Sequence, residues 1–161
     1  LAGAGARGDM LSMALAGKNQ VLDTGAKMIH LAKNTSSHTI SKSISLDGGI
    51  ANYRGYVSVH KNADNAKNYT QCDALLLDDM SASNTYPTMD ITNSTASVAH
   101  EASVAQLDDA KIFYMMSRGL TEAQARSAMI NGFIEQITTE IPMEYSVELH
   151  RLIHYEMEKN N

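Results

Sequence analysis

From about Asn19 to Leu107 the chain breaks into short alternating runs separated by clusters of Asn, Asp, Gly and Ser, which is the pattern of strands and turns. The runs centre on Met28-Ile29-His30-Leu31, Thr39 to Leu46, Tyr53 to Val59, Tyr69 to Leu77, Thr88-Met89-Asp90-Ile91 and Ala96 to Ala105. Their centres recur roughly every 12 to 17 residues, a spacing suited to a short-strand repeat such as a β-helix. The repeat has no strict consensus, so the pattern by itself leaves a sandwich open. What such strands close on is unusual: the chain has no Trp, two Phe and ten Met. Small, β-branched and amide side chains suit closely stacked strands better than a bulky aromatic core.

From Asp108 the period turns helical. A short helix is expected from Asp108 to Ser117, ending near Arg118-Gly119. Thr121 and Gln124 form a capping box, in which each side chain satisfies an orphaned backbone N–H. The helix they start carries Met129, Ile130, Phe133, Ile134, Ile137 and Ile141 on one apolar face. Pro142 breaks it, and a last helix runs from about Met143 to Glu158. The division is thus residues 1–107 as a β-body and 108–161 as a helical region, with the helices expected to cap the open end of the body.

A length of 161 residues fits one domain with a real core. The net charge of −5 supplies no basic stripe for phosphates and argues against nucleic acid. No run approaches the roughly 18 apolar residues a membrane span requires. One cysteine excludes an internal disulfide framework and fits a reducing compartment. Sequons at Asn34, Asn68 and Asn93 are read as Asn/Thr-rich strands and turns rather than as glycosylation sites. The chain opens at Leu1-Ala2-Gly3 with neither an initiator Met nor a targeting pattern, and the expectation is a piece of a longer protein.

Several motifs have simple readings. Gly3-Ala4-Gly5-Ala6-Arg7-Gly8 matches the dinucleotide fingerprint as a string, but that mechanism needs a preceding strand and a following helix. His150 and His154 sit at i, i+4 on the last helix, where both imidazoles can face one metal. A zinc hydrolase would place a Glu beside the first His, and Arg151 stands there instead; two surface histidines is the preferred reading. Asp78-Asp79 ends a strand, and Asp108-Asp109 lies at a helix N-terminus, where the dipole favours negative charge.

Cys72, His100 and Glu101 remain. A thiol, an imidazole and a carboxylate make a mixed ligand set for a transition metal, while a lone buried cysteine also serves as a small apolar residue. If successive strands alternate between two sheets, the Cys72 and His100-Glu101 strands are neighbours, about 4.8 Å apart. A regular strand sends His100 and Glu101 to opposite faces. The apolar company of His100 places it inward or against a partner and leaves Glu101 outward; the facing of Cys72 stays undecided at this level.

The stretch Ala63-Asp64-Asn65-Ala66-Lys67-Asn68-Tyr69-Thr70-Gln71-Cys72-Asp73, with Asn34-Thr35-Ser36-Ser37 before it, resembles the core domain of the SufB/SufD family of scaffold subunits for iron–sulfur cluster assembly. The likeness continues through Tyr53-Arg54-Gly55, Ala82 to Pro87, His100-Glu101-Ala102, and Phe113-Tyr114 with Arg118-Gly119, nearly the whole chain. The Cys72 motif leans to the SufB branch, whereas Gln106 to Asp109 and Ser117 to Gly119 lean to SufD.

The resemblance implies a right-handed parallel β-helix followed by C-terminal helices. It implies partnership with SufD through the β-helix and with the ATPase SufC through the helical region, so that the chain is a scaffold and not an enzyme. It implies that Cys72 and Glu101 hold a nascent iron–sulfur cluster, with His100 adjacent. The family is also linked to a reduced flavin, for which no residue is nominated. Its sulfur-accepting cysteine and its contacts with sulfur donors are expected before Leu1. The expected location is the cytoplasm, or a plastid in a eukaryote that has one. Two other readings stand beside this one: a SufD-like interaction subunit without cluster ligands, and a β-helix enzyme acting on polysaccharide, which scattered acids and the lack of Trp disfavour. An open strand edge also invites a homodimer.

Overall fold

The structure is a computed structural model that describes residues 1–159. Seven strands of ten residues each, β1 (Arg7–Ala16), β2 (Val21–His30), β3 (Ser36–Ser45), β4 (Ile50–Val59), β5 (Lys67–Leu76), β6 (Ala82–Ile91) and β7 (Ser97–Gln106), precede α1 (Asp109–Ser117), α2 (Glu122–Thr138) and α3 (Met143–Lys159). The strands alternate between two parallel sheets, ordered β1-β3-β5-β7 and β2-β4-β6. Arg7 pairs with Ser36, Ser36 with Lys67 and Lys67 with Ser97, so each coil returns after about thirty residues, within the range of repeat architectures. This is a parallel β-solenoid followed by helices, and the sandwich is excluded.

The corners are made by residues that tolerate a left-handed backbone. Asn19, Asn34, Asp47 and Asn65 have φ of 60°, 58°, 53° and 55°, a region where short polar side chains are enriched. Successive corners also bond to one another, as where Asn65 Nδ2 donates to Asn34 Oδ1 at 3.3 Å. At Asp78 the carboxylate accepts from the backbone N–H of Asp47 at 2.6 Å and from those of Met80 and Ser81, both at 2.9 Å. The Ser81 hydroxyl adds a fourth bond at 2.8 Å.

Between the sheets the interior is narrow and, along β3 and the start of β5, polar. The inward positions of β3 are Ser37, Thr39, Ser41, Ser43 and Ser45, and those of β5 begin Asn68, Thr70 and Cys72. All but Ser43 of these are buried. His30 is fully buried near the β2–β3 corner, its Nδ1 bonded to Thr35 Oγ1 at 2.8 Å and its Nε2 to Ser37 Oγ at 2.9 Å. Asn68 Nδ2 donates to the same Ser37 Oγ at 2.8 Å. Several of these hydroxyls and amides satisfy one another across neighbouring coils, while the buried Thr39 hydroxyl has no partner.

One apolar cluster, of Val57, Val59, Ala63 and Ala66, lies within the coils, and another lies outside the solenoid. Ile44 and Leu75, on the outer face of the four-stranded sheet, are buried against Ile130 and Ile134 of α2 and Ile153 of α3, with Met13 and Leu15 alongside. The helices therefore lie along the side of the body and not across its open end, as the periodicity had suggested. Their apolar stripes match an outer sheet face that is itself apolar at this end of the strands. The capping box at Thr121 and Gln124 forms, and the Asp108 side chain accepts from Ala110 N–H at 2.9 Å to start α1.

One strand escapes the sequence pattern. β1 reads Arg7-Gly8-Asp9-Met10-Leu11-Ser12-Met13-Ala14-Leu15-Ala16. It is rich in helix formers and lacks any β-branched residue; its pairing with β3 overrides local preference. Gly8 lies in this strand and no helix follows it, so the fingerprint string has no dinucleotide context.

Gly49 sits where its missing Cβ would run into the carbonyl oxygen of Ala16. Gly49→Ala is expected to cost roughly 1–3 kcal/mol, as overpacking does, read from urea melts. Asp78→Ala removes four hydrogen bonds to one carboxylate and is expected to cost about 2 kcal/mol. Burial pushes the Asp78 carboxyl up, but those hydrogen bonds outweigh it and hold the group below its ordinary value. Its stabilisation is therefore complete above the unfolded value near 3.9 and is lost as the pH falls through the lower folded value. The gap in stability between Asp78→Ala and the parent should shrink over that acid window in pH-dependent melts.

Candidate functional site at the open last coil

Among the described residues, no further coil is stacked on the final coil, β6 and β7, so inward side chains there face the open. Met89, Ile91 and Val104 are all exposed. Thr85, Pro87, Met89, His100 and Ala102 line a cleft of about 380 Å³ between the two strands.

Cys72 lies one strand in from this edge. It pairs with Ser41 on one side and Ala102 on the other and points inward, 5% exposed. His100 pairs with Thr70 and also points inward, so its Nε2 lies 3.3 Å from Cys72 Sγ. The undecided facing of Cys72 is resolved by its column: it shares parity with Asn68 and Thr70, both buried. Glu101 pairs with Gln71 and stands on the outer face, where Tyr69 Oη donates to its Oε2 at 2.9 Å. The structure thus brings Cys72 and His100 together and sets Glu101 on the opposite side of the sheet.

The electrostatics keep the thiol silent. Burial, and secondly the neighbouring Asp73 charge, push the Cys72 thiol up to about 12. Burial lowers His100. At neutral pH the pair is a protonated thiol beside a neutral imidazole. Tyr53, on the facing sheet, is pushed up to about 12 by burial and then by Cys72; it shares with Cys72 a small crevice of about 10 Å³, also lined by Ser41, Ser43, Ser83 and Thr85. That is scarcely room for one water.

Beneath Cys72, on the outer face, Lys42 Nζ meets Asp73 Oδ2 at 3.1 Å, with side chains only 9% and 15% exposed. Gln71 Nε2 and Ser103 Oγ also donate to Asp73, at 2.8 and 2.6 Å, and the Phe133 ring of α2 lies 4.7 Å from Lys42 Nζ. Burial would raise Asp73, but the bonds from Ser103, Lys42 and Gln71 and the Lys42 charge hold it below its ordinary value. This hub ties β3, β5 and the edge strand β7 together. Sequence reasoning passed over Tyr53, Lys42 and Met89. The one signal for them was coil register, which sets Lys42 opposite Asp73.

Among the described residues, no group of three or more His, Cys, Asp or Glu side chains converges on one point, and no helix is long and apolar enough to cross a membrane. For a reduced flavin the fit at the mouth fails. Its lining has neither a Tyr, Phe or Trp for an isoalloxazine ring to stack on nor a cation for its phosphate.

A family model described as "SUF system FeS cluster assembly, SufBD core domain" matches residues 1–133, and the chain belongs to that iron–sulfur cluster assembly family. Among individual relatives it is 51% identical over 158 residues to the iron–sulfur cluster assembly protein SufB of Bacillus subtilis, covering 98% of this chain and 34% of the relative. A SufBD family protein of Staphylococcus saprophyticus gives 51% over the same shares. One from Mycobacterium tuberculosis gives 49% over 98% of this chain and 19% of its own length. The chain therefore spans about a third or less of these relatives.

A buried thiol with so little thiolate should react slowly. DTNB or iodoacetamide labelling of Cys72 at pH 8 is expected at least about 100-fold slower than for a free cysteine, rising to the free rate in denaturant. An equal rate in native protein would place the thiol in water.

Proposed function

We infer that this chain supplies half of a site on which an iron–sulfur cluster is built and then released, with Cys72 as its thiolate and His100 beside it. The observation that carries the reading is the 3.3 Å contact between Cys72 Sγ and His100 Nε2, set at the open coil of a chain in an assembly family. Permanent clusters usually take four thiolates. A scaffold has to surrender its cargo, and one thiolate with nitrogen or oxygen donors completed from a partner favours release. Glu101 joins the donor set when the edge strand β7 changes parity locally, as a β-bulge does; bulges are concentrated at sheet edges.

The partner that fits is another solenoid of the same family, SufD or a second copy, laid along the last coil. Among the described residues the outer edges of β6 and β7 have no strand neighbour, and unpaired edges template pairing with another chain. Exposed Met89, Ile91 and Val104 add apolar area there. The helical region leaves Phe113, Tyr114, Met143, Tyr145 and Tyr155 exposed, a surface suited to docking the ATPase SufC. Nucleotide hydrolysis then belongs to that partner and the chain itself is a scaffold, with sulfur donors acting on other parts of the whole protein.

One observation favours a second reading. The burial of Cys72 and its raised pKa are those of an inert structural cysteine, as in a SufD-like subunit that only docks partners. The two readings part in an anaerobic titration of the assembled complex with iron and sulfide, followed by visible absorbance. Cys72→Ser is expected to abolish most of the cluster absorbance; undiminished build-up would leave the structural reading standing.

A further inference from the structure

His150 and His154 stand one turn apart on α3, and the cluster-assembly reading gives them no task. Both reach α2, and they do so in step. His150 Nδ1 lies 3.2 Å from Asn131 Oδ1, and His154 Nε2 lies 3.2 Å from Ser127 Oγ. Ser127 and Asn131 are themselves one turn apart, and Asn131 Nδ2 donates to Ser127 Oγ at 3.5 Å. The four side chains form two matched rungs across the α2–α3 seam.

The rungs fix which nitrogens are free. An amide oxygen only accepts, so the bond to Asn131 Oδ1 puts the His150 proton on Nδ1 and leaves the Nε2 lone pair unshared. The Ser127 hydroxyl both donates and accepts, so it can take the proton of His154 Nε2 and leave Nδ1 with a lone pair. An orienting hydrogen bond on one ring nitrogen, with the other open, is how metal-ligating histidines are held.

Side chains at i, i+4 of a helix have Cβ atoms about 5–6 Å apart, and metal–imidazole bonds are about 2.0–2.1 Å, so one ion can bridge the pair. A cleft of about 500 Å³ lined by Glu148, His150, Arg151, Leu152, His154 and Tyr155 opens beside them, with room for water ligands. Glu148 there is already paired with Arg151 at 3.3 Å.

We propose that His150 and His154 form a two-imidazole site for a first-row divalent cation, oriented from α2 by Asn131 and Ser127 and completed by water. Imidazole donors suit zinc, copper, nickel and iron. Two protein ligands leave most of the coordination sphere open, so the ion is exchangeable. With Arg151 following His150 where a hydrolase would carry a Glu, the site holds a metal without a general base. It is independent of Cys72 and lies in a separate part of the fold.

The test uses the full chain in a Cys72→Ser background, which removes the thiol. Zn²⁺, Ni²⁺ and Cu²⁺ are titrated one at a time against a chromophoric chelator, and the Cu²⁺ form is examined by electron paramagnetic resonance. One-to-one binding is expected, with Cu²⁺ tightest and superhyperfine structure from two nitrogens. The double variant His150→Gln/His154→Gln, whose amides can keep the rungs, is expected to lose that stoichiometric binding with helical circular dichroism unchanged. Asn131→Leu, which keeps both ligands, should weaken binding roughly 10-fold. Binding that persists unchanged in the double variant, or no stoichiometric binding in the parent, overturns the proposal.

Discussion

The register of the stacked coils governs the rest of the structure. Strand side chains alternate with a period of two, so pairing each strand residue for residue with its neighbour turns every position into a column. Ser41 stands beside Cys72, Thr70 beside His100, and Lys42 beside Asp73. A one-residue slip would exchange the two faces of a strand, sending the hydroxyl column outward and the apolar residues Ile44 and Leu75 into a space too narrow for them. The corners guard against that slip. Their left-handed Asn and Asp residues and the four bonds to the Asp78 carboxylate fix where each strand begins.

The same alternation shapes the chemistry at the open end. It carries Cys72 and His100 to one side of the sheet and Glu101 to the other, although His100 and Glu101 are neighbours in the chain. Position in the stack then sets each group's surroundings. Cys72, one strand in, is enclosed and protonated; His100, on the last strand, is half open. Beneath them, the buried Lys42–Asp73 pair and its bond from Ser103 couple the edge strand to the sheet and to α2. Breaking such a pair leaves an uncompensated charge, so the edge is held from below at the point where the upper face is open.

Most of this body could be read from the chain because turn residues and alternation are local signals. The Asn- and Asp-marked corners separate the strands, and the parity argument sets His100 inward and Glu101 outward, where the structure has them. The facing of Cys72 could not be read, because the run Ala74-Leu75-Leu76-Leu77 is apolar on both faces: one side meets the interior and the other meets the helices. β1 was hidden for a different reason. Its Met, Leu and Ala residues prefer helix, and only pairing with β3 holds them extended. The docking of α2 against the side of the solenoid was equally hidden, since an amphipathic stripe declares that a helix has a partner without saying which. The Lys42–Asp73 pair joins residues a full coil apart and becomes visible only once the register is known.

The polar filling of the solenoid has a thermal consequence. Exposing apolar surface raises the heat capacity of unfolding, whereas exposing polar surface lowers it. The column of Ser37, Thr39, Ser41, Ser45, Asn68 and Thr70 therefore contributes less to that heat capacity than an apolar filling of the same size would. The positive contribution comes from apolar clusters, among them the seam where Ile44 and Leu75 meet Ile130, Ile134 and Ile153 and the Val57–Val59 cluster within the coils. The polar column thus flattens the stability curve, while the apolar seam against the helices adds to its curvature.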